Sequence, residues 1–275
     1  MRVGRMRLGA LGAALLVGVA GCGTGGDGQS IVTKDTLVIG VAKDQPGLGL
    51  RKADGTFAGF DVDVARYLAA HVENKPKKVV FKVVQSAERE SFVRSGKVDL
   101  VISSYSITPE RKTKVAFAGP YYVAHQDTLV RQSDTSIKNV RDLAGRRLCA
   151  VTGSVSWQRV TVERNVQAQL VRVPTYGDCL TKLTDDSLDA ISTDDLILAG
   201  FAAQKGRAVR FVNAPISDER YGVGIKQSDV TGCEDVNKAI TSMYLDGTAG
   251  KLLHRWFGTT GLNLTTTVPQ FEGCG

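Results

Sequence analysis

Apolar residues in this chain switch between two periodicities, and the switching is written twice. Leu37-Val38-Ile39-Gly40-Val41 is a continuous apolar run of strand length. Over residues 61–72 the apolar positions move to helical spacing: Val62, Ala65, Leu68, Ala69 and Val72. Residues 79–84 read as a second strand, 88–95 as a short helix and 98–103 as a third strand. The pattern then restarts. Residues 148–151, 171–173, 188–192 and 209–212 read as strands, with helices over 155–165, 177–184 and 194–204. A strand over 221–225 and helices over about 233–246 and 248–257 follow. Strands alternating with helices predict an α/β chain, each half a mixed, mostly parallel sheet with flanking helices.

Two segments echo each other. Gly96-Lys97-Val98-Asp99-Leu100-Val101-Ile102-Ser103-Ser104 leads from a turn into an apolar strand that ends in hydroxyls. Asp186-Ser187-Leu188-Asp189-Ala190-Ile191-Ser192-Thr193-Asp194 does the same. Ligands of open α/β sheets bind outside the carboxyl ends of strands, so two such ends predict two lobes facing one cleft. The length of 275 residues allows one large or two medium domains, and 43% hydrophobic with 23% charged residues excludes disorder, collagen and coiled coil. The net charge of +7 includes Arg2, Arg5 and Arg7 of the leader described next, and no long Lys/Arg run exists, so nucleic acid is not an expected partner.

Met1 to Arg7 carry three arginines, and Leu8 to Ala20 are almost all Leu, Ala, Gly and Val. A charged segment followed by a short apolar one is the pattern of a secretory signal. It ends in Val19-Ala20-Gly21-Cys22, which resembles a bacterial lipobox. Residues 1–21 are therefore expected to be a lipoprotein signal peptide, with Cys22 diacylated and residues 22–35 a tether. No later run of 18 apolar residues exists, so membrane attachment is expected through the lipid alone. The other four cysteines, Cys149, Cys179, Cys233 and Cys274, form an even set for an oxidising compartment. Four cysteines allow three pairings. Cys149–Cys179, within one half, and Cys233–Cys274, stapling the tail, are the favoured ones. His71, His125 and His254 lie far apart and no Cys/His cluster exists, so neither a metal nor a cofactor is expected.

The segment Gly59-Phe60-Asp61-Val62-Asp63-Val64, followed by Leu68 and Ala69, resembles the signature of family 3 solute-binding proteins of polar amino-acid ABC importers. So does Ser104-Tyr105-Ser106-Ile107-Thr108-Pro109-Glu110-Arg111, followed by Phe117, Pro120 and Tyr121. The resemblance runs from Thr36 to Gly258. Within it, Asp44-Gln45-Pro46-Gly47-Leu48-Gly49-Leu50 most resembles actinobacterial glutamate-binding lipoproteins, in which cysteines near positions 149 and 179 also occur. It implies a two-lobed type II periplasmic-binding fold. Lobe 1 would be residues 36–124 and 217–261, lobe 2 residues 125–216, and residues 262–275 a C-terminal tail. Two hinge crossings are expected, near 124–127 and 214–219. The implied partners are a free amino acid, glutamate first, and an ABC permease with its ATPase, served by a monomer.

A free amino acid carries an α-carboxylate and an α-ammonium, and a charge removed from water must be paired. A carboxylate is best met by a planar two-pronged donor, so Arg111 is the candidate clamp. Ser106 offers a hydroxyl and an amide, and Ser104 a carbonyl for the ammonium. Thr152-Gly153-Ser154 joins a strand to a helix, where free amides face an anion. The resemblance assigns the ammonium to Asp194, leaving Asp195 as a solvated neighbour and Asp61 and Asp63 as helix-start residues. It also assigns a distal carboxylate to Arg89. Thr193 and Asp44 complete the candidate set, and the direction of Lys43 is open. Two rival readings share the fold: a cyclohexadienyl dehydratase-like lyase, which would need a general acid in the cleft, and an extracytoplasmic sensor module.

Overall fold

A computed structural model describes Met1 and residues 29–274; the leader and Cys22 lie outside the described residues. Lobe 1 opens with β1 (Thr36–Val41), a small antiparallel flap of β2 (Asp44–Gln45), β3 (Gly49–Arg51) and β4 (Phe57–Ala58), and helix α1 (Phe60–His71). It continues through β5 (Lys78–Val83), α2 (Arg89–Arg94), β6 (Leu100–Val101) and α3 (Pro109–Lys112). Strand β7 (Ala116–Arg131) leads into β8 (Arg147–Val151), α4 (Ser156–Gln158) and a π-helical turn (Arg159–Glu163). Then come β9 (Gln169–Val173), α5 (Tyr176–Thr184), β10 (Ala190–Asp194), α6 (Asp195–Lys205) and β11 (Val209–Phe211). Strand β12 (Ser217–Ile225) returns to lobe 1, and α7 (Val230–Leu245) and α8 (Thr248–Phe257) cover it.

One nine-stranded sheet runs through both lobes in the order β5-β1-β6-β12-β7-β10-β8-β9, with β11 also on β7. Pairing is parallel within each lobe, β5-β1-β6 and β10-β8-β9, as the alternation of strand and helix requires. The centre is different. The 16-residue β7 pairs antiparallel with β12, β10 and β11. Its register with β12 extends from Ser217↔Gln126 to Ile225↔Ala116, so both expected crossings lie in or beside one antiparallel ribbon. Strand β12 begins at Ser217, four residues before its apolar stretch, because the polar segment 217–220 is held by ladder bonds and not by burial alone.

A main core cluster extends across both lobes, from Leu37 and Ile39 on β1 to Leu180 and Leu183 on α5. Two smaller clusters lie under β6 and β8, around Val98 and Val101 and around Leu148 and Ala190. The expected strand over 98–103 is cut to Leu100–Val101, because the chain turns at Ser104, whose φ is +40°. Fully buried Asp61 holds that turn: its carboxylate accepts from the Ser104 amide at 2.8 Å and from the Tyr121 hydroxyl at 2.8 Å. Asp61 is thus structural, yet it acts on the loop across the lobe and not on its own helix end.

Both favoured disulfides are present. Cys149 on β8 joins Cys179 on α5, and Cys233 on α7 joins Cys274, each pair with Cα atoms 5.8 Å apart. The tail is also held by Glu272, which pairs with Lys112 at 2.9 Å and Arg220 at 2.6 Å. Thiol counting on denatured, unreduced protein should find close to zero reactive groups among these four cysteines. Each bridge closes a loop of 30 or 41 residues, so losing either should cost about 2–4 kcal/mol. Denaturant titration of Cys233→Ser/Cys274→Ser checks this; unchanged stability would contradict it.

Candidate functional site

The strand ends of both lobes meet at a cleft. Lobe 1 contributes Ser86 after β5, Arg89 on α2, the loop Ser103 to Ser106 after β6, and Arg111 on α3. Lobe 2 contributes Ser154 after β8, Tyr176 at the start of α5 and Asp194 at the end of β10. Ser86, Arg89, Ser104, Ser106, Arg111, Ser154, Ser156, Tyr176 and Asp194 enclose one cavity, with Val155 and Ile197 as its apolar lining. That cavity is about 10 Å³, the size of a single water. A larger groove of about 360 Å³ continues outward past Glu90, Gly153, Trp157 and Arg172.

Local sequence explains how the arginines get there. Thr108 caps α3 by accepting from the Arg111 amide at 3.2 Å, and Pro109 starts the helix. Arg111 therefore turns back toward the loop, where Nη1 donates to the Ser106 carbonyl at 2.7 Å. Arg89 donates to the carbonyls of Ser86 and Ser103 at 3.2 and 3.1 Å. Arg89 and Arg111 are 3% and 5% exposed, and both guanidiniums lie over the ring of Tyr105, at 4.3 and 4.9 Å. Among the described residues Arg89 donates only to backbone carbonyls. Glu90 stands 3.5 Å from Arg111 Nε. Burial first and Arg89's charge second pull Arg111 down to about 10, still charged at neutral pH. Two buried guanidiniums give this wall planar, two-pronged donors, the groups best suited to take up carboxylates.

Both arginines also cross the cleft. Arg111 Nη2 and Arg89 Nη2 donate to the Gly153 carbonyl, at 2.8 and 3.1 Å. Gly153 has φ +81°, and a Cβ there would meet the Ala87 backbone at 2.5 Å. This is a close approach only glycine permits. The opposite wall presents a carboxyl group. Asp194 is buried, its Oδ2 accepts from the Tyr221 hydroxyl at 2.7 Å, and its Oδ1 has no hydrogen-bond partner among the described residues.

The structure thus gathers Arg89, Ser104, Ser106, Arg111, Ser154 and Asp194 into one cavity. Three candidates stand apart from it. Thr152 is exposed on the outer groove, its hydroxyl 3.4 Å from the Val173 carbonyl. The Thr193 hydroxyl donates to Tyr176 at 2.8 Å. Asp44 accepts from the Gly177 amide at 2.6 Å, capping α5 from the other lobe. Lys43 lines a neighbouring cavity with Asp44. Asp195 is buried and not solvated. It lies beside a cavity behind the hinge with His125 and Asp127, and its Oδ1 accepts from the Leu196 amide at 2.8 Å. Sequence reasoning missed Tyr176, Ser156 and Tyr105. The capping box Thr175/Asp178 that starts α5 marks Tyr176 as a strand-end residue, and Tyr105 lies inside the Ser104 to Arg111 segment.

Residues 37–259 match bacterial extracellular solute-binding proteins, family 3. The chain is 39% identical over 264 residues to the glutamate-binding protein GluB of Corynebacterium glutamicum, covering 90% of this chain and 89% of that one. It is 31% identical over 229 residues to the ABC transporter glutamine-binding protein GlnH of Bacillus subtilis, covering 82% and 83%. A solved ancestral arginine-binding protein bound to arginine superposes with a TM-score of 0.75 at 31% identity, covering 82% and 99%. The two-lobed architecture and a cleft that sets buried guanidiniums against a buried carboxyl group agree with that match, and the chain belongs to family 3 of the bacterial extracellular solute-binding proteins.

Proposed function

We propose that this protein captures L-glutamate, or a close relative such as aspartate, asparagine or glutamine, between its lobes and delivers it to an ABC permease with its ATPase. One observation carries the reading: two buried guanidiniums of lobe 1 face a buried carboxyl group of lobe 2 with one oxygen unpartnered among the described residues. Arg111, with Ser106 and the Ser154 strand end, takes the α-carboxylate. Asp194 takes the α-ammonium, aided by the Ser104 carbonyl. Arg89 takes the distal carboxylate. On opening, the Gly153 carbonyl leaves both arginines; the ligand's carboxylates then replace it as acceptor. Micromolar binding would correspond to about −8 kcal/mol. Lobe 1 is assigned residues 36–124 and 217–261, and lobe 2 residues 125–216. The mature chain is assigned as a monomer anchored outside the cytoplasm by lipid on Cys22.

Arg111→Ala and Asp194→Ala should each leave a ligand charge buried and unpaired. Losses of roughly 2–5 kcal/mol, or about thirty- to several-thousand-fold in affinity, are expected by calorimetry. Binding within threefold of wild type in both variants would end this assignment.

Glutamine keeps the shape of glutamate without the distal charge, and so leaves Arg89 unneutralised. Competition titration should show wild type preferring glutamate, and Arg89→Met losing that preference while still binding. A wild type that prefers glutamine contradicts the pocket assignment; an unchanged ratio in Arg89→Met moves specificity to another residue. Cys22→Ala should shift the protein from the membrane fraction to the soluble fraction; fractionation as before would place the anchor elsewhere.

A further inference from the structure

Among the described residues only four buried side-chain polar atoms lack a hydrogen-bond partner, and three belong to neighbouring positions: Gln126 Oε1, Asp194 Oδ1 and Glu219 Oε2. All three are acceptors. Ladder register explains their grouping. Asp194 on β10 is opposite Gln126 on β7, and Gln126 is opposite Ser217 on β12. Opposite residues share a face, and Glu219, two positions beyond Ser217, shares it too. The rest of each group is occupied. Gln126 Nε2 donates to the Ser156 carbonyl and Ser192 hydroxyl at 2.9 Å each. Glu219 Oε1 accepts from Arg159 Nε at 2.8 Å and from Ser217 Oγ at 2.9 Å. Glu219 is 1% exposed, so a second carboxylate stands behind the one that faces the cleft.

We propose that Glu219 is a positioning residue for ligand capture: it keeps Asp194 protonated in the closed, empty cleft, and the α-ammonium of the entering amino acid displaces that proton to bulk water. The proposal rests on the ammonium role of Asp194 given above. The Asp194 O–H bond breaks, the proton passes to buffer, and an N–H···O⁻ contact from the ligand takes its place; nothing is oxidised or reduced. Every charged or titratable group facing Asp194 enters the balance. Glu219 and Tyr221 come from β12, Asp195 from α6, Arg111 from α3 and Tyr176 from α5. Glu219 itself is met by Arg159, which also pairs with Glu163. Burial first and Glu219's charge second push Asp194 up to about 8, against the opposing Tyr221 bond and Arg111 charge. The sign follows. Below about 8 the empty site holds the proton, a bound ammonium lowers the value, and each binding event between the two releases a proton. Affinity therefore rises with pH through neutrality and levels off near 8.

The test is calorimetry of the mature wild-type protein with L-glutamate and with L-glutamine near pH 7, in phosphate and in Tris, whose ionisation enthalpies differ. Wild type should release close to one proton per ligand, the same for both amino acids because the effect belongs to the ammonium. Glu219→Gln should release less than half of that, and Glu219→Asp should restore it. No release by wild type, or equal release by Glu219→Gln, overturns the proposal. Should Glu219→Gln fail to fold, wild-type affinity between about pH 6 and 7.5 decides: a rise of about tenfold per unit supports the proposal and a flat profile overturns it. Asp194→Ala separates the two levels. If it abolishes binding while wild type releases no proton, only the proton exchange falls; if it binds like wild type, the ammonium assignment itself falls.

Discussion

Charge removed from water must find a partner of opposite sign, and the cleft of this chain holds two such charges in place before any ligand arrives. Arg89 and Arg111 come from one lobe, and the carboxyl group of Asp194 faces them from the other. Leaving either guanidinium unpaired would cost several kcal/mol. The arginines are braced by one aromatic ring and by backbone carbonyls, so neither depends on a flexible surface partner. Across the cleft both share the Gly153 carbonyl, a neutral acceptor and a weaker partner than a carboxylate. These groups suit the ligand class proposed above, a small molecule with anionic and cationic ends.

That arrangement depends on the central antiparallel ribbon. Strands β7 and β12 carry the chain between lobes while keeping ladder bonds along most of their length. A sheet continuous through the hinge fixes which residues face the cleft from both lobes, since register decides the face. Asp194, Gln126 and Ser217 lie opposite one another across three strands. The Asp44 carboxylate on the Gly177 amide adds a second interlobe contact, away from the cavity. Asp44 thus bonds between the lobes outside the cavity lined by Arg89, Arg111 and Asp194. The Cys149–Cys179 bridge ties the same helix to β8, so the capped helix end cannot drift from the strand beside it.

Much of this was legible in the sequence where the signal is local. The parallel strands of each lobe have continuous apolar runs, and the Ser104 to Arg111 segment holds a turn, a cap and an arginine within eight residues. Of three possible pairings, the one favoured from the shared half of Cys149 and Cys179 and the tail position of Cys274 is the one present. Strand β7 was not legible, because Gly119-Pro120, Gln126 and Asp127 interrupt its apolar pattern and its pairing partners lie far along the chain. Tyr176 and Glu219 reach the site through a helix start and a ladder register, neither of which residue type alone announces. Asp195 shows the opposite lesson. Neighbouring residues at a strand end point to opposite faces, so burial of Asp194 in the cleft sends Asp195 to the back cavity.

In the proposed function the two lobes close on both charges of an amino acid at once. Calorimetry of the wild-type protein with L-glutamate, glutarate and 4-aminobutyrate tests it without altering the protein. Glutarate lacks the α-ammonium, and 4-aminobutyrate lacks the α-carboxylate. L-glutamate should bind, and each analogue should lose about a hundredfold or more in affinity. Glutarate binding within about threefold of L-glutamate would contradict the role of Asp194, and the same result for 4-aminobutyrate would contradict that of Arg111.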